Sequence, residues 1–195
     1  MSLDILSFFA ENFDLPILDW IAENLRCAFL DFLMPIITLF GDAGIFWIAV
    51  AVVLLLIPKY RKIGLSMGAA LLIGLLLCNV TLKPLVARIR PYDYQLQNFG
   101  VNIQLLVGAQ SDFSFPSGHT IASFEAATVL LLYNKKMGIP AMVLAVLIAF
   151  SRLYLYVHYP TDVLASVVLG TAIAFLGCFL VKKGYSLYES KKKVA

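Results

Sequence analysis

Long apolar runs separated by short clusters of charge restrict what this chain can fold into more than any other feature of it. The stretches 43–58, 64–82, 139–157 and 163–181 read as membrane-spanning helices. A fifth, 120–133, is short but has strong boundaries on both sides. The chain is 61% hydrophobic and 14% charged, whereas a soluble domain has about 45–50% apolar and about 25% charged residues. Its 195 residues leave room for one domain, nearly all of it in or against the bilayer.

A sixth apolar stretch, 27–40, is interrupted by Asp31 and Pro35 and falls short of the about 20 residues a crossing needs. Before it, Leu15, Leu18, Ile21, Ala22 and Leu25 recur at helical spacing, with Asp14, Asp19, Glu23 and Arg26 opposite them. That pattern predicts an amphipathic helix lying along the membrane surface. Residues 1–14 carry Asp4, Glu11 and Asp14 and lack the basic and apolar regions of a cleaved signal.

Basic residues set the orientation. Lys59, Arg61 and Lys62, then Lys135 and Lys136, then Lys182, Lys183 and the terminal lysines mark three cytoplasmic regions. Alternation puts loop 83–118 and the turn at 158–162 outside, and the first 42 residues, with seven acids and one Arg, join them. The expected fold is all-α: a transmembrane bundle of five spans, with six as the rival count, preceded by an interfacial helix. The expected regions are 1–42 for the N-terminal segment, 43–182 for the catalytic bundle and 183–195 for a basic tail. Lys191, Lys192 and Lys193 suit anionic headgroups better than nucleic acid, and no other run resembles a nucleic-acid footprint. Cys27, Cys78 and Cys178 have no disulfide or zinc spacing and read as small core residues.

Arg26, Lys83, Arg88, Arg90 and Arg152 depart from this charge pattern, and four of these five lie beside the outside loops. An anionic ligand explains them. Lys83 supplies a point charge, and Arg90 and Arg152 supply planar forks suited to phosphate oxygens. Ser117 and Gly118 open a helix whose free N–H groups and dipole favour an anion. His119 and His158 allow separate acid and nucleophile roles near neutral pH. Asp162, four residues beyond His158, is placed to hold one ring nitrogen. Taken singly, an Arg or Lys near a span end usually snorkels and a lone His is usually packed. That reading weakens because both histidines of the chain fall in these clusters.

The clusters form a three-part signature: Lys83-x6-Arg90-Pro91, Pro116-Ser117-Gly118-His119 and Ser151-Arg152-x5-His158-x3-Asp162. In all eleven defined positions and their spacing the chain resembles the type 2 phosphatidic acid phosphatase (PAP2) superfamily. The resemblance implies that His158 attacks phosphorus to form a phosphohistidine, with Asp162 orienting it. It implies that His119 protonates the leaving oxygen and then activates water. Lys83, Arg90, Ser117, Gly118 and Arg152 would hold the phosphate, with no cofactor and no metal. The implied substrate is a lipid phosphate such as phosphatidic acid, phosphatidylglycerol phosphate or undecaprenyl diphosphate. It would be met at the outer face of a bacterial plasma membrane. Transfer of the phosphate to another acceptor, and non-catalytic binding or transport of a lipid phosphate, are the alternatives; oligomeric state is not legible.

Outside the signature, Asn79 shares a helix face with Lys83 and either steadies it or packs helices. Glu125, inside a span, is expected to make a supporting hydrogen bond. Arg88 is expected to meet substrate or headgroups, and Tyr154, Tyr156 and Tyr159 to form an interfacial aromatic belt. The Gly64–Gly68 spacing permits close helix packing. Val101, Ile103, Leu105, Leu106 and Val107 in loop 92–115 suggest a rim for a lipid entrance on the membrane surface.

Overall fold

The computed structural model describes residues 2–194, with side chains described for 5–192. Met1, Ala195 and the side chains of Asp4 and Lys193, which enter the readings above, lie outside the described residues. Among the described residues an irregular loop spans 100–117 and the regular structure is all helices, with no strand. In order these are α1 (Ser2–Phe9), α2 (Leu15–Asn24), α3 (Ala28–Leu39), α4 (Ile45–Leu56) and α5 (Arg61–Gly74). They are followed by α6 (Lys83–Val86), α7 (Pro91–Phe99), α8 (Gly118–Tyr133), α9 (Lys135–Tyr154) and α10 (Pro160–Val194).

Four helical stretches are long and apolar enough to cross a membrane: Ala28–Leu56, Pro58–Phe99, Lys135–Tyr154 and Pro160–Lys192. The protein is a membrane protein. Lipid-facing character is visible on α4 and α10, where Val53, Leu56, Leu164, Val168, Phe175 and Phe179 lie exposed. The short run 120–133 has a different place. Helix α8 packs against α5, α9 and α10, and nearly every residue from Thr120 to Leu130 is buried. Thr120, Ser123, Ala126, Ala127 and Thr128 are small enough to let the neighbouring helices close around it. It is the axis of the bundle, and lipid does not line it.

Two breaks shape the site end. Ala43 (φ 48°) and Gly44 (φ 67°) adopt left-handed conformations between α3 and α4, so Gly41–Gly44 form a sharp corner. Between α5 and α6 the backbone widens into a π-type stretch, Leu75–Leu82. Gly64 lets α5 approach α4, since a Cβ there would stand 2.6 Å from the Leu55 nitrogen; Gly68 meets nothing within 4 Å.

Several expectations change. Doubted only as a span, the stretch 27–40 contains a continuous helix, α3, with Pro35 inside it and Asp31 accepting a 2.6 Å hydrogen bond from the Tyr154 hydroxyl. Leu15, Leu18 and Ile21 are buried in the protein core, and Asp14 lies buried with them. Tyr154, Tyr156 and Tyr159 are buried rather than spread along an interface. Tyr156 donates to Asp19 at 2.6 Å, so hydroxyls that resemble a belt in sequence dock the N-terminal segment instead. Loop 92–115 opens with helix α7, and Ile103, Leu105, Leu106 and Val107 pack against the core. Cys78 and Cys178 are buried, but Cys27 is exposed.

Candidate active site

One cavity of about 900 Å³ opens at the corner end of the bundle, and Lys83, Arg90, Gly118, His119, Arg152 and His158 all line it. Deeper in, its wall is apolar, with Ala51, Leu55, Leu72 and Val181 among the lining residues. Helix ends deliver the polar residues. Arg152 comes from the last turn of α9, and Asp162 from the first turn of α10. His158 sits in the tight connection between those helices, where Tyr156 is left-handed (φ 61°). Lys83 begins α6, and Arg90 immediately precedes Pro91 at the start of α7.

His158 is 1% exposed. Its Nε2 faces Arg90 Nη1 at 3.3 Å, and its Nδ1 faces Ser114 Oγ at 3.5 Å and Asp162 Oδ2 at 3.6 Å. Asp162 Oδ2 accepts from Ser114 Oγ at 2.5 Å and from the Tyr159 amide at 3.2 Å. Burial holds His158 well below the ordinary histidine range, and the charges of Arg90, Arg152 and Lys83 push the same way. The imidazole is therefore neutral at pH 7, with Nε2 on the side of the cations.

His119 has a different setting. Its Nε2 lies 2.6 Å from Asp42 Oδ1, at the corner between α3 and α4. Gly41 is required beside it, because a Cβ there would lie 2.6 Å from His119 Cδ2. Burial and Arg152 lower His119 to about 4, against the opposing pull of Asp42. A phosphate entering the cavity would bring negative charge beside this ring and favour its protonated form.

The cations have unequal partners. Lys83 and Arg90 both bind the Asp112 carboxylate, the arginine through Nη2 at 2.5 Å. Burial would raise Asp112, but those two cations outweigh it and hold the carboxyl down at about 2. Arg90 also donates to the Asp112 and Val157 carbonyls, at 2.8 and 2.6 Å. Arg152 donates from Nη1 to Thr38 at 2.6 Å, while its buried Nε and Nη2 have no protein partner. A buried guanidinium with two free donors on a cavity wall is set for an anionic acceptor.

Two expected site residues stand behind the cavity wall. Asp162 backs His158, and Ser117 caps α8, its Oγ accepting from Thr120 Oγ1 at 3.0 Å and its amide donating to Ser166 at 2.9 Å. Asn79 faces Gly118. Glu125 lines the cavity with its Oε1 unpartnered, rather than making the supporting bond expected of it. Arg88 does not line the cavity; it is buried between Asp14 and Asp162. Asp42, Asp112 and Ser114 join the site without belonging to the signature, and the position of Asp112 and Ser114 just before Pro116 is the only sequence hint of them.

Fold and site together define a membrane enzyme of phosphoryl transfer. The PAP2 superfamily profile matches residues 59–184, and the chain belongs to that superfamily. It is similar to the undecaprenyl-diphosphatase of Sulfolobus acidocaldarius, 37% identical over 160 residues, 82% of this chain and 74% of that protein. It is 32% identical to undecaprenyl-diphosphatase BcrC of Bacillus subtilis over 151 residues, 75% of this chain and 72% of that one. The crystal structure of a transmembrane PAP2 type phosphatidylglycerolphosphate phosphatase from Bacillus subtilis matches with a TM-score of 0.69 at 28% identity. That match covers 92% of this chain and 87% of the other.

Proposed function

We propose that the protein hydrolyses a lipid phosphate or diphosphate through a phosphohistidine on His158. The observation that carries this is the grouping of a neutral, buried histidine with three cations at one cavity end, Arg152 having two unpartnered donors. His158 Nε2 forms the bond to phosphorus as the bond to the leaving oxygen breaks, and the His119 proton goes to that oxygen. Water then forms the new P–O bond as the N–P bond breaks, with His119 taking the water proton. Lys83, Arg90, Arg152 and the Gly118 amide hold the phosphate oxygens as charge develops. Ser117 supports the start of α8, and Asp162 orients His158. The names of the relatives support a polyprenyl diphosphate or phosphatidylglycerol phosphate as substrate, and the apolar inner wall of the cavity suits an acyl or prenyl chain.

The proposed topology has five crossings, α4, α5, residues 120–133 of α8, α9 and α10, with the N-terminus and the site on the extracytoplasmic side. Thr38 and Asp31 of α3 bond to Arg152 and Tyr154 at one end of α9, which supports α3 lying against the bundle end and not beside α9 across the membrane. Helices α1 and α2 would lie at the interface. Phosphate release from phosphatidic acid, phosphatidylglycerol phosphate and a C55 polyprenyl diphosphate, with EDTA present, tests the reading. Release by the native protein and its loss in His158→Ala are expected; equal release by both would overturn it.

A further inference from the structure

The deepest charges near the site do not touch the cavity. Asp14 and Asp162 have fully buried side chains, and the Arg88 guanidinium lies between them, 5% exposed. Arg88 Nη2 donates to Asp14 Oδ2 at 2.7 Å, while Nη1 donates to Asp162 Oδ1 at 2.5 Å and to Thr161 Oγ1 at 2.8 Å. Asp14 also accepts from the Thr161 amide at 2.9 Å and hydroxyl at 2.8 Å. The Tyr159 ring lies beneath, 3.7 Å from Arg88 Cζ. Thus the two Asp162 oxygens face different ways: Oδ2 toward His158 and Oδ1 toward Arg88.

A carboxylate has one torsion to fix, and fixing one oxygen fixes the other. We infer that Asp14 and Arg88 are positioning residues, which act through Asp162 to aim the His158 ring at phosphorus. The planar fork of arginine is what allows one side chain to bridge both carboxylates. Asp14 lies outside the superfamily match of 59–184, so the N-terminal segment completes the catalytic unit. Anchoring of that segment is a separate job, done also by Asp19 on Tyr156 and Asp31 on Tyr154, neither of which contacts Asp162.

The inference rests on His158 being the nucleophile, so its test keeps the two ideas apart. Purified full-length protein is assayed on the same three lipids, with inorganic phosphate as a competitive inhibitor to report an intact cavity. Arg88→Met is expected to lower kcat about 100-fold and Asp14→Asn about 10-fold, with KM and the phosphate inhibition constant within about threefold of native. In an Asp162→Asn background both substitutions are expected to add almost nothing, because they act through that residue. Asp19→Asn, which loosens the same segment without touching the chain of charges, is expected to keep kcat within about twofold. Losses in Asp14→Asn no larger than in Asp19→Asn, or full additivity with Asp162→Asn, would overturn the inference. If Arg88→Met does not fold, the near-isosteric Asp14→Asn, alone and with Asp162→Asn, decides the matter. Activity surviving His158→Ala would instead remove the mechanism beneath it.

Discussion

The two histidines share a cavity but not a setting. His158 is sealed among Arg90, Ser114 and Asp162, and its carboxylate partner is fully buried. His119 bonds a carboxylate, Asp42, whose side chain is half exposed, on a corner forced into left-handed backbone. A nucleophile needs one fixed direction of attack, which a buried frame provides. A group that gives a proton and later takes one needs its protonation to follow the charge beside it, and a partner in contact with solvent allows that. The contrast in burial thus fits the proposed division of chemical roles.

The largest test removes each ring in turn. His158→Ala is expected to lower turnover of every substrate by at least about 10⁴-fold, because it removes the proposed nucleophile. His119→Ala is expected to cost about 10²–10⁴-fold on a lipid phosphate, the range for general acid–base catalysis. On p-nitrophenyl phosphate, whose leaving group needs little protonation, the first step of His119→Ala is expected to recover. A burst of p-nitrophenolate equal to the enzyme concentration would report it. A similar loss on both substrates would break the division of roles.

The fixed spacing of the signature made six cavity-lining residues legible, because signature residues sit at helix ends where local rules apply, and the apolar runs made the all-helical bundle legible. The partners of those residues were not legible. Asp42 meets His119 across 77 residues and Asp14 meets Arg88 across 74, distances over which no periodicity carries information. Hydropathy also misread the tyrosines near position 156. An interfacial tyrosine and a buried one have the same composition, and only the acids of the N-terminal segment, far away in sequence, tell them apart. The central place of α8 was hidden for a similar reason, since a short apolar run looks the same whether lipid or protein surrounds it.

A smaller effect should come from the corner itself. Gly41→Ala places a Cβ in the space of His119 Cδ2 and Ile148 Cγ2, so the ring must shift. A displacement of a few tenths of an ångström in a proton-transferring ring is expected to cost about 10-fold in kcat on lipid phosphates. It should cost much less on p-nitrophenyl phosphate, with His158 untouched. Equal losses on both substrates would mean that the corner supports the whole site, and the comparison of the two rings would then lose its geometric basis.

The smallest effect lies in stability against pH. His119 is held at about 4 in the folded protein against 6.5 unfolded, so above pH 6.5 the two states bind the same number of protons there. As pH falls from 6.5 toward 4 the unfolded chain takes up the proton first, and stability is lost. The His119 share is on the order of 3 kcal/mol, since each tenfold change in proton affinity is worth about 1.36 kcal/mol. His158, also depressed, adds to the loss in the same direction. Melting of the detergent-solubilised protein should therefore fall across this window, and His119→Asn should flatten the fall. Asp42 pulls His119 upward, so Asp42→Asn should carry the fall on below pH 4, where the native protein begins to level off. If Asp42→Asn left the acid limb as it was, Asp42 would not be tuning the proton affinity of His119. The exposed carboxylate would then only brace the ring, as Asp162 is proposed to brace His158.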